Sequence, residues 1–123
     1  MTIDTNIIIA YLAGEKTIIN ILDDWRKQGG FLYLPAIVEA EVLSFAQFSL
    51  QERRITEKFL EENFISIPFD RRIARLAGVI RSSKKIKLPD AAIAATALFT
   101  KTPLLTRNDR DFKKVPGLEL LAV

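Results

Sequence analysis

The sequence predicts an α/β fold built on a parallel sheet with helices on both faces. Short apolar runs of strand length alternate with longer segments of helical periodicity along the chain. One helical segment, Ala91 to Leu98, is apolar around most of its circumference, as expected of a helix buried between layers. No repeat, linker or low-complexity stretch intervenes, so residues 1–123 read as one domain.

Taken in order, the chain opens with a short strand, Met1 to Asp4, running into a helix from Asn6 to about Leu12 that Gly14 ends. A second helix spans Thr17 to Lys27, with Ile18, Ile21, Leu22 and Trp25 on one face, and Gly29-Gly30 breaks it. Phe31 to Leu34 reads as a buried-type strand, and Pro35 as the start of a helix reaching about Ser49. A charged helix, Gln51 to Asn63, and a third strand, Phe64 to Ile67, follow. Asp70 then caps a helix whose apolar positions Ile73, Leu76, Ala77 and Ile80 repeat at i, i+3, i+4, i+7. A basic loop, Ser82 to Lys87, precedes Leu88-Pro89-Asp90 and the buried helix. Pro103 to Thr106 is a fourth strand and Leu118 to Leu121 a fifth.

Composition removes whole classes of chemistry. The chain has no histidine, so imidazole-based hydrolysis and His-ligated zinc are excluded. It has no cysteine, which removes disulfides, thiolate metal sites and a thiol nucleophile. What remains is carboxylates, lysines, hydroxyls and hard metal ions held by oxygen. The net charge of +3 mildly favours an anionic partner. The run Ile7 to Leu12 is too short for a membrane span or signal core, so the expectation is a cytoplasmic protein without a membrane partner.

Ligand crevices of open parallel sheets lie beyond the carboxyl ends of the strands, and acids gather there. Asp4 ends the first strand, Asn108, Asp109 and Asp111 follow the fourth, and Asp90 opens the buried helix. The helix after Pro35 adds Glu39 and Glu41, which lie about 200° apart around a helix, so only one can face a given site. Taken singly, each acid could be a cap or a surface residue. Together, in so apolar a neighbourhood, they would be costly to bury without a compensating cation. An all-oxygen set suits Mg²⁺ or Mn²⁺, which can activate water and stabilise the oxygens of a phosphodiester.

Four segments in this order carry a family resemblance: Ile3-Asp4-Thr5-Asn6-Ile7, Ala40-Glu41-Val42, Asp90-Ala91-Ala92-Ile93-Ala94-Ala95, and Leu105-Thr106-Arg107-Asn108 with Asp111-Phe112. The chain resembles the PIN domain, and within it the VapC-like toxins of type II toxin–antitoxin pairs, over essentially its whole length. The resemblance implies an α/β/α sandwich around a short parallel sheet. It also implies Mg²⁺- or Mn²⁺-dependent endoribonuclease activity, a homodimer and a cognate antitoxin partner. The family's four acidic positions, which serve catalysis and metal binding, fall on Asp4, Glu41, Asp90 and Asp111. Thr5, Asn6, Thr106 and Asn108 match the polar residues that orient them. The family's Ala-Glu-Leu pattern selects Glu41 over Glu39, and its Thr-Arg-Asn-x-x-Asp-Phe spacing selects Asp111 over Asp109.

Arg107 and Arg110 flank the fourth segment and Lys84, Lys85 and Lys87 precede the third, as candidates for the RNA backbone. Tyr11, Leu12, Phe45 and Phe48 offer an apolar surface for self-association. Two other readings compete. An aspartate-dependent phosphatase or receiver-type domain would need an acidic pair or Asp-x-Asp after a strand, whereas Asp4 is followed by Thr5 and Asn6. A non-catalytic RNA- or protein-binding module would keep the fold, but degenerate relatives usually lose an acid and all four positions are acidic here.

Overall fold

Strands of two or three residues are enough to build the sheet, because its central strands are buried between helices, while the edge strands stay partly exposed. The computed structural model describes residues 1–45 and 47–123. Strands β1 (Thr2–Ile3), β2 (Tyr33–Pro35), β3 (Ile65–Ile67), β4 (Leu104–Thr106) and β5 (Leu120–Ala122) form one parallel sheet in the order β3-β2-β1-β4-β5. The central strand is β1, with Thr2 opposite Tyr33 on one side and Leu104 on the other, and Ile3 opposite Leu105.

The described helices are α1 (Thr5–Leu12), α2 (Lys16–Lys27), α3 (Ala36–Phe45), α4 (Leu50–Asn63), α5 (Arg71–Ser83), α6 (Leu88–Thr100) and α7 (Asp109–Phe112). Right-handed crossovers between parallel strands place α1 to α4 on one face and α5 to α7 on the other. Most of the helix packing follows that division: α1 contacts α2 and α3, α3 contacts α4, and α5 contacts α6, while α3 also meets α6 across it. The expected α/β/α sandwich is therefore the fold observed. The core runs through Ile3, Ile7, Ile8, Leu34, Leu104 and Leu105, and every residue from Ala91 to Ala97 of α6 is buried. Among the described residues, no helix is long and apolar enough to cross a membrane.

Chain order along the sheet runs outward from β1 in one direction and from β4 in the other, so the switch point lies between β1 and β4. The crevice of such sheets opens there, at the strands' carboxyl ends. Asp4, directly after β1, and the residues after Thr106 are delivered to that spot by topology alone.

Several boundaries differ from the sequence expectation, each for a local reason. Pro35 ends β2, pairing opposite Ile67, and the helix starts one residue later at Ala36. Phe31 lies outside the strand, and its carbonyl accepts from the Met1 amino group at 2.7 Å and from the Trp25 indole at 3.0 Å. The expected extension of α3 to Ser49 crosses Ala46, which lies outside the described residues. Ser49 itself caps α4, in a reciprocal box with Glu52, and so cannot belong to the preceding helix. The one-turn helix α7 was not expected from so polar a segment, and β5 begins two residues late, after the positive-φ turn at Gly117.

Gly30 sits against Trp25: a Cβ there would lie 2.1 Å from the indole nitrogen. Gly30→Ala is therefore expected to displace the ring and cost about 1–3 kcal/mol. Trp25 is the only tryptophan, so both effects can be read from its fluorescence, as a red-shifted emission and an earlier denaturation midpoint. An unchanged spectrum with unchanged stability would contradict this packing.

Candidate active site

Asp4 is the N-cap of α1 and only 5% exposed, so its charge has to be satisfied by the protein. One carboxylate oxygen accepts from the Thr5 backbone N–H at 2.7 Å, and the other from the Thr106 hydroxyl at 2.7 Å. The Thr5 hydroxyl donates to Glu41 Oε1 at 2.7 Å. On the other side, the Thr106 oxygen accepts from the Asn108 N–H at 2.9 Å, and Asn108 Nδ2 donates to Asp111 Oδ2 at 3.1 Å. A continuous polar chain thus runs Glu41–Thr5–Asp4–Thr106–Asn108–Asp111, tying α3, the β1–α1 junction, β4 and α7 together.

Asp90 is the exception. It lies in the first turn of α6, where the helix dipole favours an acid. Its carboxyl has no hydrogen bond from another side chain among the described residues. It is pushed up to about 6, first by desolvation and then by the charges of Asp4, Glu41 and Asp111, with Lys87 as the weaker opposing influence. Burial also raises Asp4, against the hydrogen bonds from Thr106 and Thr5 and with the help of Glu41. Asp111 moves the other way, held down by the Asn108 amide, then by Lys114 and Arg110. These mutual effects place the four carboxylates in one electrostatic neighbourhood.

A cavity of about 360 Å³ is lined by Asp4, Thr5, Asn6, Glu41, Asp90 and Asn108, with the uncharged Ile9, Ser44 and Phe45 completing it. Glu39 faces a different hollow, with Arg53, Leu43 and Ala40. Asp109 is exposed, whereas Asp111 is half-buried and opens onto an adjoining basic groove lined by Arg81, Lys84, Lys85, Lys87 and Lys114. As the side chains stand, no three His, Cys, Asp or Glu among the described residues lie close enough to ligate one ion.

The basic candidates divide. Lys84, Lys85 and Lys87 line the groove beside Asp111. Arg107 instead forms a two-pronged pair with Glu15, at 2.9 and 2.7 Å, which pins the start of the β4–α7 connection to the turn after α1. Arg110 is exposed and acts on Asp111 only at a distance. Sequence reading missed Lys114, whose Nζ lies 3.6 Å from Asp111 at i, i+3 spacing, and Arg81, just ahead of the basic loop. The i, i+3 signal was present, but only an expected α7 would have made it readable. Of the apolar candidates, Tyr11 is half-buried and stacks on Phe59 with centroids 5.3 Å apart. Leu12, Phe45 and Phe48 line a groove of about 390 Å³ with Ile9, Val42 and Ile55.

Because the folded-state value of Asp90 lies above the unfolded one, near 4, the folded chain holds this proton more tightly. Its contribution to stability is full below pH 4 and is lost as pH rises through 6. Asp90→Asn should therefore stabilise the protein in chelator at pH 7.5 by about 1 kcal/mol, the full shift being discounted for a half-exposed group. Below pH 4 the substitution should change little. Urea denaturation at the two pH values measures both, and equal effects at both would contradict the repulsion.

Comparison with known proteins gives a concordant family. The PIN domain family model matches residues 1–118. Ribonuclease VapC1 of Rickettsia felis is 28% identical over 132 residues, covering 100% of this chain and 96% of the relative. A solved toxin–antitoxin complex from Klebsiella pneumoniae contains a chain 30% identical, with TM-score 0.83, covering 98% of this chain and 95% of that one. The fold is also shared with VapBC2 of Rickettsia felis bound to a DNA fragment from their promoter, at TM-score 0.85 and 24% identity, covering 99% and 97%. The sheet order, the sandwich and the match across nearly the whole length agree: this chain belongs to the PIN-domain family.

Proposed function

We propose that this protein is a divalent-metal-dependent endoribonuclease, acting as the toxin of a toxin–antitoxin pair. The observation that carries the reading is the cavity at the sheet's switch point lined by Asp4, Glu41 and Asp90, to which Asn108 ties Asp111, with Asp90 left without a hydrogen-bonded side-chain partner among the described residues. Similarity to Ribonuclease VapC1 across the whole chain supports the substrate class, and similarity to the toxin–antitoxin complex supports the biological setting.

The donor set fits a hard cation. Every donor is oxygen, and the chain holds no histidine or cysteine to favour zinc. Mg²⁺ is usually held by one or two carboxylates and keeps several waters, so it does not need three acids around one point. Asp4, Glu41, Asp90 and Asp111 would hold Mg²⁺ or Mn²⁺. When bound, such an ion supplies Lewis-acid stabilisation of the phosphodiester and a water that loses its proton near neutrality.

The protein's own contribution is positional and electrostatic. Thr5 and Thr106 fix the rotamers of Glu41 and Asp4, and Asn108 fixes Asp111. Asp90 lines the cavity beside Asp4 and Glu41 with a carboxyl that no side chain restrains among the described residues, so it is free to turn toward a bound cation or the water it would carry. Asn6 lines the cavity with an exposed amide suited to a phosphate or ribose oxygen. Lys84, Lys85 and Lys87 offset the acids' repulsion of the substrate backbone. The apolar groove beside the cavity, with Leu12, Phe45 and Phe48 on its walls, suits an antitoxin segment or a second copy of the chain.

Incubating the protein with total transfer RNA and ribosomal RNA in Mg²⁺, in Mn²⁺ and in chelator tests the reading. Discrete cleavage is expected only with metal, and Asp90→Asn, confirmed folded by circular dichroism, is expected to lose at least about 100-fold in rate. Cleavage unaffected by chelator, or equal in the variant, would sink the assignment.

A further inference from the structure

The groove beside Asp111, about 530 Å³ in volume, gathers five cations, Arg81, Lys84, Lys85, Lys87 and Lys114, around a single carboxylate. Lys114 lies 3.6 Å from Asp111 and also donates to the Lys85 carbonyl at 3.4 Å, which draws the α5–α6 loop against α7. Arg81, Lys84, Lys85 and Lys87 form no ion pair with any carboxylate among the described residues. The dipole of α5 accounts for a cation in its last turn, where Arg81 sits, but not for five on one concave wall. Cations crowded within a Debye length of about 10 Å repel one another unless an anion lies between them.

This groove and the acid cavity meet through one hydrogen bond: Asn108 lines the cavity, Asp111 lines the groove, and the amide of the first holds the carboxylate of the second. No lysine or arginine lines the cavity itself, and its wall at Ile9, Ser44 and Phe45 is uncharged. The five-cation groove therefore adjoins the acids on the Asp111 side.

We propose that the groove is a backbone track for one flank of the RNA, with Arg81 and Lys114 extending the line of Lys84, Lys85 and Lys87, so that the substrate footprint is asymmetric about the cut. The inference rests on the ribonuclease reading. The track binds phosphates by charge and leaves the bases unread, so it sets affinity rather than sequence preference.

Arg81→Glu tests it, with Arg54→Glu on α4 as a control carrying the same change in net charge. Binding of labelled transfer RNA would be followed by fluorescence polarisation from 50 to 200 mM KCl, and cleavage at fixed salt in Mn²⁺. Loss of one phosphate contact lowers the slope of log K against log salt by about 0.7. The expected result for Arg81→Glu is that lower slope, a KM raised at least fivefold and kcat within twofold of wild type, with the control unchanged. Once the cut is mapped, substrates shortened from one end should lose affinity at least tenfold, and those shortened from the other end should not. Arg81→Glu with wild-type slope and KM, or equal sensitivity to shortening from both ends, would overturn the track while leaving the nuclease intact. A wild-type protein that neither binds nor cuts RNA would overturn both.

Discussion

Asp4 stands at the end of the central strand with almost no access to water, and its carboxylate is satisfied from two directions. The Thr5 N–H reaches it from its own helix, and the Thr106 hydroxyl reaches it across the gap between β1 and β4. Each of those threonines then holds something else: Thr5 orients Glu41 of α3, and Thr106 receives the N–H of Asn108, which orients Asp111. Two threonines, Thr5 donating through both its N–H and its hydroxyl and Thr106 through a hydroxyl that donates and accepts at once, thereby set the relative positions of α3, β4 and α7 around one buried charge. Without them, the carboxyl edge of a sheet with strands of two or three residues would have little to keep its loops in register.

The same network explains why the acids differ in character. Asp111 is held low by the Asn108 amide, whereas in Asp4 burial outweighs the hydrogen bonds from Thr106 and Thr5 that favour the ionised form. Asp90 enters from the opposite layer on α6, receives no such donor among the described residues, and meets three like charges, so its proton affinity rises into the neutral range. The cost of holding these charges together is local, because the buried small side chains of α6 and the apolar faces of α1 and α3 secure the helices that carry them. A cation would be the economical remedy for such a cluster, and the basic groove next to it, which already acts on Asp111 through Lys114, would offset the acids' repulsion of an RNA backbone.

Much of this was legible in the sequence because it follows from periodicity and chain order. The run Ala91 to Leu98, apolar but for Thr96, pointed to an interior helix, and strand-helix alternation implied parallel pairing, which in turn brings Asp4 and the residues after Thr106 to one edge. What sequence could not express was orientation. Spacing left Glu39 and Glu41 as alternatives, and only the packing of α3 turns Glu41 toward Thr5 and Glu39 toward Arg53. Arg107 looked like a free cation beside the site, yet Glu15, ninety-two residues away, neutralises it. Lys114 and Arg81 come from separate segments, and their convergence on one groove is a tertiary fact with no local signature. The misplaced strand start at Phe31 has a similar origin, since its carbonyl is claimed by the chain terminus and by Trp25.

Asp4, Glu41, Asp90 and Asp111 are proposed to act as one cation-binding unit in which Glu39 has no part. Calorimetric titration of Mn²⁺ into the wild type, Glu41→Gln and Glu39→Gln tests this without requiring a substrate. Saturable binding to the wild type is expected, with an affinity at least tenfold weaker in Glu41→Gln and unchanged in Glu39→Gln. No binding to the folded wild type, or the same affinity in all three proteins, would contradict it.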